Sequence, residues 1–195
     1  MSDAFPRILS RRTTRLSPWM EIVACDVAFR PDEAAQTYHA IAQTDYIAIL
    51  ARTPDGGFPL VRQYRPAVEG YTWELPAGML EQGEDAQAAC ARELLEETGF
   101  PARRIHPLGA RVPCSARLSN RIQSFFVETG PRDPKVQAEA GIEVRVVAAD
   151  ELAAMIADGT FALQLHLGTL LLAAMQGLIE PKPLLRPKTQ LGRHT

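Results

Sequence analysis

At 195 residues with 46% hydrophobic content, the chain has enough apolar material for one well-buried core and too little length for two independent ones. Its 21 Lys and Arg against 23 Asp and Glu give a net charge of −2, which argues against a nucleic-acid surface, because such modules carry a strong basic excess. No stretch approaches about 18 uninterrupted apolar residues, so no membrane-spanning helix is expected.

After a polar start, Trp19–Arg30 and Ala34–Gln43 read as two strands joined by the turn-forming Pro31-Asp32, a small N-terminal antiparallel sheet. Asp45–Arg52 and Phe58–Arg65 flank Thr53–Gly57 (TPDGG) and predict a hairpin. From Glu84 to Glu97 no Gly, Pro or β-branched residue interrupts a run rich in Ala and Leu, and Gly99 supplies a stop, so this segment predicts a helix. Arg104–Pro113 and Arg121–Thr129 are strand-like, and Gly130–Gly141 is a Pro/Gly-rich loop. Ile142–Ala149 follows, with Ile142, Val144 and Val146 expected on one buried face. Asp150 is expected to cap a helix, and Phe161–Ile179 to form a long closing helix before a frayed tail at 181–195.

The chemistry concentrates between Gly78 and Phe100 (GMLEQGEDAQAACARELLEETGF). Glu93 stands three residues before Glu96 and four before Glu97, so the three carboxylates share one helix face within reach of a common ion. Each like-charge pair costs an isolated helix about 0.2–0.5 kcal/mol, a penalty that a divalent cation would offset. A solvated acidic face is the plain alternative for any charge run. The four histidines show no ligand spacing and read as structural or exposed. Cys25, Cys90 and Cys114 are odd in number and widely spaced, without a CxxC pair, so they read as reduced thiols. With no apolar core in the arginine-bearing N-terminal segment, the expected location is cytoplasmic.

The spacing Gly78-x5-Glu84-x7-Arg92-Glu93-Leu94-x-Glu96-Glu97-x-Gly99-Phe100 resembles the Nudix box at every specified position. The resemblance implies an α+β fold, an α/β/α sandwich around a mixed sheet, with the small N-terminal sheet added to it. It divides the chain into an N-terminal β subdomain (1–44) for dimerisation and base binding, a hydrolase domain (45–180) and a tail (181–195). It implies Mg²⁺, with Mn²⁺ as a substitute, held by Glu93, Glu96, Glu97 and the Ala77 carbonyl, while Arg92 orients the carboxylates.

Two further segments resemble the ADP-ribose and nucleoside diphosphate sugar pyrophosphatase branch. In Arg62–Gly78 (RQYRPAVEGYTWELPAG) the resemblance gives Arg65 a phosphate contact, against the alternative of a strand-end ion pair. In the N-terminal segment it gives Trp19 and Tyr38 the task of sandwiching the base, one from each subunit of a homodimer; packing aromatics are the other reading. Asn120 falls in the substrate-side loop, where relatives carry an acidic residue. Glu139, on the loop before the Ile142 strand, matches the catalytic base, with Glu143 as competitor. The implied reaction is hydrolysis of ADP-ribose to AMP and ribose 5-phosphate. GDP-mannose or another nucleotide sugar, nucleoside triphosphates, and a non-catalytic nucleotide-sugar sensor remain as alternatives. The intact set of box glutamates weighs against the sensor.

Overall fold

The computed structural model describes residues 5–81 and 83–180, so the tail expected at 181–195 lies outside the described residues. The chain forms two compact units, one of residues up to Asp45 together with Arg111–Ile122, the other of Tyr46–Ala110 together with the chain from Gln123. The chain thus leaves the first unit at Asp45 and returns to it over 111–122.

The first unit is an antiparallel sheet of three strands, β1 (Arg7–Ser17), β2 (Met20–Ala28) and β3 (Gln36–Gln43), in the order β1-β2-β3. This corrects the expectation of two strands after a polar start. That start is an 11-residue strand. Its Ile and Thr favour extended structure, yet nearly every residue is exposed, so no apolar alternation announces it. Polar bonds pin its register instead. Arg12 Nη1 and Nη2 donate to the Asp26 carboxylate at 2.6 and 3.2 Å, and Thr37 Oγ1 donates to it at 2.7 Å from β3. These bonds, Arg12 first, hold the Asp26 carboxyl far below the usual carboxylate range. Segment 111–122 adds to the sheet at β3, where Ile41 N–H donates to the Arg117 carbonyl at 2.7 Å and Ser119 N–H donates back to the Ile41 carbonyl at 3.1 Å.

The second unit contains β4 (Tyr46–Arg52), β5 (Phe58–Arg65), β6 (Gly70–Glu74), β7 (Ala77–Met79), α1 (Ala86–Thr98), β8 (Ala102–Arg111), β9 (Ile122–Thr129), β10 (Glu143–Val147), α2 (Ala149–Ala157) and α3 (Gln164–Met175). Its strands form two sheets, ordered β7-β4-β9-β8 and β10-β5-β6. The hairpin expected across Thr53–Gly57 is therefore corrected. The turn forms, with Thr53 N–H donating to the Gly57 carbonyl at 2.8 Å, but β4 and β5 enter different sheets. The cause lies in β4, whose residues 47–51 are buried without alternation, as in a central strand covered on both faces. Ile47, Ile49 and Ala51 pack with Ala89, Cys90 and Leu94 of α1. Leu50 packs on the opposite side with Leu152 and Met155 of α2 and Leu170 and Ala173 of α3. Helices thus cover both faces, giving the expected α+β sandwich.

Three local expectations are also corrected. Val147 rather than Val146 is buried on β10, Val146 being 45% exposed. Ala148, not Asp150, occupies the N-cap position of α2, and Asp150 sits in the first turn. The closing helix is confined to Gln164–Met175, because Gly177 turns left-handed at φ +70 and lets Leu178 N–H donate to the Ala173 carbonyl at 3.0 Å.

Candidate active site

Helix α1 begins where Asp85 accepts hydrogen bonds from Gln87 and Ala88 N–H, both at 3.0 Å, and ends on Gly99 at φ +76. Between these caps its inner face buries Ala89, Cys90, Leu94, Glu97 and Thr98. A carboxylate in that company is costly to charge. Burial, then the neighbouring charges of Glu93 and Glu139, push Glu97 up to about 8, although Ala77 N–H donates to its Oε2 at 2.9 Å and opposes the shift. Burial likewise raises Glu93.

Arg92 organises the remaining carboxylates. Its Nε and Nη2 grip both oxygens of Glu84 at 3.0 and 3.1 Å, while Nη1 donates to Glu93 Oε1 and Glu96 Oε2, each at 3.0 Å. The bidentate grip holds Glu84 below its ordinary range. Gly78 sits directly over Glu93, and a Cβ there would lie 2.1 Å from the Glu93 carboxyl. Only glycine leaves the room.

Among the described residues, no three His, Cys, Asp or Glu side chains already converge in a ligating arrangement. The reason is visible in the bonds: Arg92 draws Glu93 and Glu96 to itself, and Glu97 is turned toward the Ala77 amide. The donor set still suits a hard divalent cation. It is all oxygen, and the charges of Glu93 and Glu139 burden a buried carboxyl that a cation would relieve.

Glu139 lies on the loop before β10, where its charge acts on both Glu93 and Glu97. Glu143 instead pairs with Arg62 at 3.1 Å, and Arg62 also stacks 4.7 Å over the Tyr71 ring. Arg65 ends β5 and is not a free cation. Its Nε and Nη2 donate to Glu74 Oε1 and Oε2 at 2.8 and 2.6 Å. Burial pulls Glu74 upward, but the bonds from Arg65 and Thr72 outweigh it and leave the group below its ordinary value.

Trp19, Tyr38 and Asn120 belong to the first unit. Trp19 is 61% exposed and borders a cavity of about 270 Å³ with Pro18, Glu21, Gln43 and Thr44. Tyr38 pairs with Cys25, five residues along β2 from the Met20–Gln43 pair, so the two aromatics stand on the order of 17 Å apart in one chain. They cannot close on one base within a single chain. Asn120 is buried and donates from Nδ2 to the Thr44 carbonyl at 3.2 Å, fastening 111–122 to the end of β3.

Two residues without an expected role enter the site. Glu74 is buried behind Arg65, and its signal was a charge between Trp73 and Leu75 in a strand leading to the box. His166, on α3, accepts the Leu75 N–H through Nδ1 at 3.0 Å and so holds the segment that ends in Ala77. Burial lowers it to about 4, keeping the ring neutral.

Comparison with known proteins identifies the family. An ADP-ribose pyrophosphatase of Bacillus subtilis is 35% identical over 98 residues, half of this chain and 53% of its own length. An ADP-ribose pyrophosphatase of Saccharomyces cerevisiae is 40% identical over 77 residues, 37% of this chain and 33% of its own. The chain thus matches about half or less of these relatives' lengths. A solved structure of an ADP compounds hydrolase, 21% identical, superposes with a TM-score of 0.75 over 92% of this chain and 100% of its own. The NUDIX domain model matches residues 42–164, which hold the whole Arg92–glutamate arrangement, and the chain belongs to the NUDIX family.

Proposed function

We propose that the protein hydrolyses the pyrophosphate bond of a nucleoside diphosphate sugar, ADP-ribose first among candidates, to AMP and ribose 5-phosphate. The observation that carries this reading is the Arg92 fork holding Glu84, Glu93 and Glu96 beside the buried Glu97. The names of the B. subtilis and yeast relatives select the substrate class.

Glu93, Glu96, Glu97 and the Ala77 carbonyl would hold Mg²⁺, with Mn²⁺ as a substitute. Bound there, the ion supplies positive charge against the diphosphate and the negative charge that develops in the transition state. Arg92 keeps Glu93 and Glu96 oriented from behind, and Arg65 steadies a phosphate oxygen with its remaining donor nitrogen. Glu139 takes a proton from the attacking water, a role favoured over Glu143 because Glu143 is already engaged by Arg62. In-line attack on phosphorus then breaks one P–O bond of the bridge and leaves two phosphomonoesters.

Trp19 and Tyr38 would stack on the base from two different subunits of a homodimer, which suits their spacing within one chain. A cytoplasmic location accompanies this reading, and no described helix is long and apolar enough to cross a membrane. The test is a panel of ADP-ribose, GDP-mannose and nucleoside triphosphates with Mg²⁺, ranked by kcat/KM. ADP-ribose should lead by at least about tenfold, a margin worth about 1.4 kcal/mol of transition-state binding. A triphosphate in first place would overturn the reading.

A further inference from the structure

The bond between Arg65 and Glu74 is built unlike the other ion pairs on the surface. The Glu74 side chain is only 3% exposed and that of Arg65 44%. Both carboxylate oxygens are engaged, Oε1 by Arg65 Nε and by Thr72 Oγ1 at 2.6 Å, Oε2 by Arg65 Nη2. In the β5–β6 ladder Arg65 faces Gly70, Gln63 faces Thr72, and Val61 faces Glu74. Two-residue alternation therefore puts Arg65, Thr72 and Glu74 on one face of the sheet. The arginine side chain runs back along that face from the strand end, starting opposite a residue with no side chain.

A buried ion pair is weak evidence of stabilisation, since desolvation offsets most of the attraction. Its sure effect is geometric. A bidentate grip consumes Nε and Nη2 and fixes the guanidinium plane, leaving Nη1 as the one nitrogen not used by Glu74. The guanidinium so held is close enough to Glu97 for each charge to act on the other.

We propose that Glu74 is a positioning residue for substrate phosphate, acting through Arg65 by fixing its fork so that Nη1 is presented to the diphosphate beside the carboxylate site. This rests on the function proposed above. Glu74 itself does not touch the substrate. Thr72 completes the device by donating a second hydrogen bond to Oε1 at 2.6 Å.

The test is a double-mutant cycle of Glu74→Gln and Arg65→Ala, with kcat, KM and melting temperature measured on ADP-ribose with Mg²⁺. Glutamine keeps the shape and removes the buried charge, so the fold is expected to survive. Glu74→Gln should raise KM about tenfold and alter kcat less, and in the Arg65→Ala background it should change KM less than about twofold. Glu74→Asp, which keeps the charge one methylene short, should recover part of the lost affinity. If Arg65→Ala yields no folded protein, Thr72→Val removes one donor to Glu74 with Arg65 intact, and KM should rise about two- to fivefold. A merely structural Glu74 would lower the melting temperature equally in both backgrounds with KM unchanged, and that result overturns the proposal. Active wild-type protein with independent, multiplying losses overturns it alone; wild-type protein inactive on every nucleoside diphosphate sugar overturns it together with the proposed function.

Discussion

The two units keep their apolar side chains in opposite places. In the second, β4 is buried on both faces and Leu50, Leu60, Phe126 and Leu152 are closed from solvent. In the first, the three strands contribute one buried residue, Ala28, while Leu9, Leu16 and Trp19 are each about 60% exposed. A sheet with so little burial gains little from its own packing, whereas the other unit holds carboxylates to fixed bonds on a rigid frame. Under the function proposed above, chemistry would belong to the second unit and contact with a partner surface to the first. On this account, damage to the second unit should appear in turnover, and damage to the first in KM or in association.

The largest effect should follow from Glu93→Gln and Glu97→Gln, each lowering kcat by at least about a hundredfold in folded protein, since under the proposed function a charge that would hold the metal is lost. Rates near wild type at saturating Mg²⁺ would break the division at its centre. Glu139→Gln should lower kcat by about a hundredfold with Mg²⁺ affinity nearly unchanged, as befits a base. If Glu143→Gln does this instead, the loop assignment fails. In the first unit, Trp19→Ala should raise KM by the equivalent of about 1–3 kcal/mol with little change in kcat. Light scattering should show a dimer throughout. A monomeric wild-type protein, or an unchanged KM in dimeric Trp19→Ala, would remove the first unit from substrate binding.

The last expected effect concerns the frame alone and shows in stability, not in activity. Burial holds His166 at about 4 in the folded chain, against an ordinary value of 6.5. The unfolded chain therefore binds more protons between these values, and stability falls as pH drops from about 6.5 toward about 4, by on the order of 3 kcal/mol from this group. His166→Gln should flatten that part of the stability profile measured by urea unfolding. An unaltered profile would show that other groups govern it.

What the sequence disclosed depended on whether the relevant partners were local. The box helix was legible because its carboxylates, its arginine and its stop at Gly99 lie within 22 residues of Gly78, at helical spacings. Arg65 carried no sign of its buried partner nine residues on, because strand alternation says which residues share a face and not which side chains meet. His166 lies 91 residues from the Leu75 amide that it accepts, a pairing that only the packing of α3 creates. Strand β1 was missed for the opposite reason: with both faces exposed it has no apolar period, and its register depends on Asp26. The division of β4 and β5 between two sheets was hidden as well, since a turn signal fixes a reversal of the chain without fixing its pairing.

The most direct test of the account is a ³¹P spectrum of the wild-type protein, full length, with ADP-ribose and Mg²⁺. The account predicts that the diphosphate signals give way to two phosphomonoester signals in equal amounts, those of AMP and ribose 5-phosphate, and that added EDTA stops the change. Diphosphate signals that persist in the presence of folded, Mg²⁺-supplied protein, or the appearance of inorganic phosphate as the first product, would contradict it.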